Sequence, residues 1–347
     1  MVPTASPHYP VRPSWLALTD EAVLAPEQAI LDAHHHLWDR PEGTYTSTEF
    51  EQDWSCGHDV RASLYVQCTT GYRETGPTEL KPVGEVETIL AWSREHPHHP
   101  LGLVAAADLR LGDAVSPVLD AMAEAGQGKV CGIRNATAFH PDPVVRSNPN
   151  PAPAGLLTDP AFQRGVQALA SRHWCLDIWA YHTQLPEVVA LARRAPEVRV
   201  VVNHLGGPLG VGPYDRTDPL LFRQWQAGIR QLAELPNTCI KLGGMGLRVM
   251  GHTYAQAHKP PHSSQLADDW RPHVECCIQA FGPQRAMFES NFPVDKGQFS
   301  YRAVWNAFKR LAAGYSQDER DDLFWRSAVR CYRLKAHPFS SPAGDMT

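Results

Sequence analysis

The stretch AILDAHHH, residues 29–36, is a short apolar run that ends in three consecutive imidazoles. It reads as a buried β-strand whose C-terminal tip carries chemistry. Alternate residues of a strand share a face, so Asp32, His34 and His36 are expected on one side and His35 on the other, packing outward. His34 and His36 then offer two imidazoles to one point, which is a frequent half of a metal site.

Seven further runs repeat the pattern: ASLYVQC (62–68), LGLVAAADL (101–109), KVCGIRNA (129–136), CLDIWAYH (175–182), VRVVVNHL (198–205), TCIKLGG (238–244) and AMFESNF (286–292). Amphipathic stretches separate them, at 83–96, 113–126, 159–173, 185–196 and 218–235, with a last helix over 317–334. Asp159-Pro160 and Asp218-Pro219 have the form of a helix cap followed by a first-turn proline. Strand and helix in alternation predict an α/β fold with a parallel sheet, and eight such units close into a (β/α)8 TIM barrel. No GxGxxG follows the first strand, which disfavours a doubly wound sheet. The expected layout is an arm over 1–28, the barrel over 29–335 and a tail over 336–347. Residues 138–158 after the fourth strand and 245–264 after the seventh are long βα loops, at the end of a barrel where active sites are built, and are candidate lids.

Of the 347 residues 43% are hydrophobic and 20% charged, enough for a substantial core. The net charge of −5 without basic runs excludes a nucleic-acid partner. No segment has the form of a signal peptide or a membrane span, so a soluble cytoplasmic protein is expected. The eight cysteines contain no CxxC pair and fit free thiols of a reducing compartment. His96, His98 and His99 sit in EHPHHP, where exposure is the simpler reading than ligation.

Polar residues cluster at the other strand ends. His182 closes strand five and His204 nearly closes strand six. Glu289 and Asn291 share a phase on strand eight, Lys241 lies on strand seven, and Arg134 stands before the first long loop. Each has a plain structural reading too: His204 as a satisfied core histidine, Lys241 and Glu289 as an interior ion pair. Their convergence favours a shared pocket. GxSxG and GxxxxGK[ST] are absent, and GGPLGVG (206–212) reads as a tight loop.

The strings LDAHHHLWD (31–39), GIRN (132–135), NHLGGP (203–208), KLGGMG (241–246) and FESNFPVDK (288–296), in this order, resemble the amidohydrolase-2 family of TIM-barrel hydrolases, from about Ile30 to Leu334. The resemblance implies a metal-dependent hydrolase barrel like those of L-fuconolactonases and pyrone-dicarboxylate lactonases, with decarboxylases further off. By it His34 and His36 match the first-strand His-x-His, His204 the sixth-strand histidine, and His182 a fifth-strand metal ligand. Where that family has Ser-Asp-Trp-Pro this chain has Ser290-Asn291-Phe292-Pro293. An amide takes no proton. The base is therefore expected among Asp295, reaching back, Glu289 and His204.

The expectation is a hydrolase that opens a lactone of a sugar acid or an aromatic-catabolism intermediate. A divalent ion, Zn2+ first, is expected on His34, His36 and His182, with a metal-free variant open. Arg134, Trp38, Tyr181, Lys241 and Arg248 are expected around the small-molecule substrate, and a homodimer fits the habit of barrels to pair. The alternatives are a decarboxylase or C–C bond hydrolase on the same barrel, and a barrel that only binds a ligand.

Overall fold

The computed structural model describes residues 8–339, apart from 42, 95, 97–99 and 149. His98, His99 and the first seven residues of the arm lie outside the described residues. Eight parallel strands form one sheet in sequence order. We number them β1 (Ala29–His35), β2 (Asp59–Val66), β3 (Gly102–Ala105), β4 (Val130–Ala136), β5 (Cys175–Trp179), β6 (Val200–Val202), β7 (Thr238–Leu242) and β8 (Ala286–Phe288). The sheet closes at its seam through the residues that follow β8. The Asn291 amide donates to the His34 carbonyl at 2.9 Å, and the His36 amide to that of Phe292 at 2.8 Å. A TIM barrel results.

Helices Val83–Arg94, Ser116–Gly126, Pro160–Gln167, Leu185–Arg194 and Pro219–Ala233 lie within the amphipathic stretches, Ser47–Trp54, Ser263–Phe281 and Tyr301–Leu311 lie where none was read, and both predicted caps form. The Asp159 carboxylate accepts from the Phe162 amide at 2.9 Å, and that of Asp218 from the Leu220 amide at 2.8 Å. The core has two layers. Large side chains such as Ile133, Ile178, Trp225 and Phe288 fill the space between barrel and helices. Smaller ones, including Leu31, Ala62, Leu64, Val104 and Val201, fill the barrel's lower interior, which Tyr332 of the last helical segment plugs. All eight cysteines are free thiols.

The strands are shorter than the sequence runs suggest, and β1 does not alternate throughout. Its register against β2 shifts between Asp32 and His35. Such an irregularity re-aims side chains. Asp32 consequently faces away from the barrel mouth: its carboxylate accepts from the Ser290 amide at 2.9 Å, the Ser290 hydroxyl at 2.6 Å and the Tyr301 hydroxyl at 2.9 Å. The shared face expected for Asp32, His34 and His36 thus holds only for the two histidines. His35 packs outward on Phe50, ring on ring at 4.1 Å.

Candidate active site

His34 and His36 project from the tip of β1 with their Nε2 atoms 3.1 Å apart. The Nδ1 of His36 donates to the Val66 carbonyl at 2.7 Å, which leaves its Nε2 lone pair open. An Arg134 guanidinium nitrogen lies 3.3 Å from Nε2 of His34. Arginine can only donate, so Nε2 of His34 is an acceptor there; its Nδ1 stands between the Lys241 ammonium at 3.4 Å and Oε2 of Glu289 at 2.8 Å. The other carboxylate oxygen of Glu289 accepts from Nδ1 of His204 at 2.7 Å and from its amide at 3.2 Å. One fully buried carboxylate therefore fixes the tautomer of His204, with its Nε2 as the acceptor, and lies against the His34 ring.

A second buried pair underlies the first. Lys241 lies 2.9 Å from Asp177, and its ammonium is 3.4 Å from Nδ1 of His34. Asp177 also accepts from Asn203 at 2.9 Å and from the Tyr332 hydroxyl at 2.8 Å. Burial, reinforced by Lys241, pulls His34 well below the ordinary imidazole value, and burial with Arg134 does the same to His36. Both rings are neutral at pH 7, as metal ligands or hydrogen-bond acceptors must be.

Above this floor opens a cavity of about 340 Å³. His36, Arg134, His204 and Asn291 line its inner end, and the indoles of Trp38 and Trp179 its walls. Both candidate lids contribute: Ser147, Asn148 and Asn150 come from the loop after β4, and Leu247 from the loop after β7. Gln67, Thr69, Arg40 and His8 complete much of the rest.

Several expected residues stand elsewhere. β5 stops at Trp179, so His182 enters a 3₁₀ turn and points away. Its Nδ1 accepts from the Leu209 amide at 3.2 Å, and its ring lines a separate small cavity with Arg216, His252 and His273. It does not converge with His34 and His36. Lys241 is completely buried and pairs with Asp177 rather than with Glu289 or with anything in the cavity. Tyr181 lies behind the wall, where its hydroxyl is 2.8 Å from that of Ser147. Arg248 stacks on the Tyr9 ring at 4.4 Å and does not line the cavity. Asp295 does not reach back into the pocket: it accepts from the Gly246 amide at 2.9 Å and from the Asn291 side chain at 2.8 Å, and burial pushes its carboxyl well up.

Sequence reasoning missed Asp177, Gln67 and Ser147. A carboxylate inside the apolar run CLDIW is the one signal that pointed to Asp177.

Among the described residues, His34, His204 and Glu289 form a buried group able to hold a metal ion. The donor chemistry divides these roles further. Glu289 is engaged by His204, while the 3.1 Å separation of the His34 and His36 Nε2 atoms suits two ligands of one tetrahedral ion. The residues present therefore fit a divalent metal.

Fold and site together define a barrel hydrolase with an imidazole–carboxylate centre at the C-terminal ends of its strands. The chain belongs to the amidohydrolase family, whose model matches residues 31–334. It is 32% identical over 324 residues to the uncharacterised protein y4mH of Sinorhizobium fredii, covering 88% of this chain and 99% of that one. It is 35% identical over 183 residues to an L-fucono-1,5-lactonase of Burkholderia multivorans, covering 51% of this chain and 57% of the relative. In structure it resembles a B. multivorans amidohydrolase crystallised with bound zinc, with a TM-score of 0.69 at 23% identity, over 88% of this chain and all of that one.

Proposed function

We propose that the protein opens the lactone ring of a sugar acid by hydrolysis. The observation that carries this is the make-up of the cavity wall: two indoles, Trp38 and Trp179, stand among the neutral hydrogen-bonding groups Gln67, Thr69, Ser147, Asn148 and Asn150. Indole faces suit the apolar faces of a sugar ring, and neutral donors and acceptors suit its hydroxyls. A flat dicarboxylate would call for more cations. Each of the two arginines at the cavity already donates to a backbone carbonyl, Arg40 to that of Cys68 and Arg134 to that of Gln67, and Arg40 also stacks on Trp38 at 4.5 Å. The likeness to an L-fucono-1,5-lactonase supports the same reading.

In the reaction, Arg134 donates to the ring carbonyl oxygen and stabilises the negative charge that develops there. Nε2 of His204 takes a proton from the attacking water, and Glu289 at its Nδ1 stabilises the imidazolium that forms. The C–O bond of the ring then breaks, and His204 returns the proton to the leaving ring oxygen, giving the open-chain hydroxy acid. His34 and His36 would hold a divalent ion, zinc in our reading, which when bound supplies Lewis-acid polarisation and a more acidic water. Asn291 lines the cavity with its Nδ2 committed to Asp295, so its Oδ1 is the atom left to accept from a substrate hydroxyl or the water.

The test is a panel of 1,4- and 1,5-sugar lactones followed by acid release, with mass analysis of the product. Ring opening adds the elements of water and keeps every carbon. Carbon dioxide release from an aromatic acid, with no lactone opened, would overturn the reading.

A further inference from the structure

We propose that the small cavity beside His182 is a second binding site, which takes a small anion, a carboxylate group or an ion of chloride's size, between the Arg216 guanidinium and the imidazoles of His252 and His273.

Three elements meet there. The loop after β6 brings Arg216, the loop after β7 brings His252, and helix Ser263–Phe281 brings His273. Apart from these groups and His182 the lining is apolar or aromatic, and it contains no carboxylate. The polar groups lack partners among the described residues. His252 is 5% exposed, and its ring nitrogens make no hydrogen bond. Nδ1 of His273 is buried without a partner. The Arg216 guanidinium makes no hydrogen bond or ion pair. Buried polar atoms are costly to leave unpaired, so the cavity calls for a ligand that pairs them.

Charge selects the ligand. Burial first, and then the charge of Arg216, keeps both imidazoles unprotonated. An anion between the three groups offsets that repulsion, so an imidazole can take up a proton and offer N–H donors. A cation would add to the repulsion. The charged groups nearby are engaged elsewhere. Asp269, one turn before His273, accepts from the hydroxyl of Tyr254, whose ring stacks on His252 at 5.0 Å. Arg271 pairs with Glu275 at 3.0 Å, Asp215 accepts from the Thr217 amide at 2.9 Å, and a His140 ring nitrogen is 2.9 Å from the Tyr214 hydroxyl. Size narrows the choice. The cavity of about 30 Å³ has room for about two or three water-sized atoms, enough for chloride or formate and too little for a tetrahedral oxyanion.

The experiment follows thermal unfolding while sodium formate or sodium chloride replaces sodium methanesulfonate at constant ionic strength, at pH 7.5 and pH 6. A saturable rise in Tm is expected in wild type. Its apparent Kd should tighten by up to about tenfold per pH unit as pH falls, because a proton enters with the anion. Arg216 is exposed, so Arg216→Gln keeps the fold and is expected to lose the saturable rise at both pH values. The double variant His252→Gln with His273→Gln should keep weak binding without the pH dependence. A response to formate alone names a carboxylate as the ligand, and a response to chloride names a simple halide; either supports the site. No saturable rise in wild type, or the same rise in Arg216→Gln, overturns the proposal.

Discussion

Glu289 accepts from His204 through one oxygen and stands 2.8 Å from the His34 ring with the other. Glu289→Gln removes the charge that orients His204 and stabilises its imidazolium while the packing volume is kept. The expected result is a fall in kcat of about ten- to a hundredfold, the range for partners that orient ligands and bases, with an unchanged far-ultraviolet spectrum. Steady-state rates on a lactone the wild type opens decide it. Lys241 poses the opposite case, a cation whose removal is felt in stability. Lys241→Met strands Asp177 inside the barrel with only Asn203 and Tyr332 as donors. Breaking a buried pair from one side costs about 3–5 kcal/mol, and the double variant with Asp177→Asn is expected to recover part of it. Urea unfolding of the three proteins measures both quantities. The sequence shows these residues as polar groups near strand ends, and the histidines at the end of β1 and just past β6 were readable as site residues on that ground. Which carboxylate meets which cation was not readable, because the pairing depends on the stagger of strands around the barrel.

At the scale of elements, the alternation of strand and helix made the barrel legible, since eight short apolar runs with capped helices between them leave few other topologies. The side-chain directions were less legible wherever a strand stops early. β8 ends at Phe288 and β6 at Val202, and the residues that matter follow in left-handed backbone, with φ of 52° at His204 and 56° at Asn291. Counting by twos along a run has no force there, and the same early stop at Trp179 turned His182 away. These turns depend on close neighbours. Gly244, just past β7, has φ of 71°, and a β-carbon on it would strike the His204 ring. Gly244→Ala should therefore lower kcat at least about tenfold by displacing His204 from Glu289, as small misplacements of reacting groups do. Rates near wild type would show that the ring can yield without cost.

Over the whole molecule, histidines set the response to acid. His58, His252 and His273 lie away from the substrate cavity, His58 by itself and the other two together in the small cavity beside Arg216, and each is held neutral. Burial lowers His58 to about 3, aided by Lys309, whose ammonium is 2.8 Å from its ring. Burial lowers His252 to about 3 and His273 to about 4, in both cases aided by Arg216. In the unfolded chain each takes up a proton below about 6.5, while the native state does not until its lower value is reached. The unfolded state thus binds more protons in that window, so stability falls as pH drops from about 6.5 toward 4 and returns as pH rises. At pH 5 each group costs about 2 kcal/mol relative to pH 7, and three together approach the stability of an ordinary domain. Most of that loss is expected between about pH 6.5 and pH 5. His273 sits between Phe222 and Trp225, at ring distances of 5.1 and 4.7 Å, where another aromatic ring fits. In His273→Phe one of the three proton acceptors is gone, so the stability of the variant relative to wild type should improve by about 2 kcal/mol between pH 7 and pH 5. Urea unfolding at the two pH values measures that difference, and a gap that stays constant with pH would mean that His273 titrates alike in the folded and unfolded chain.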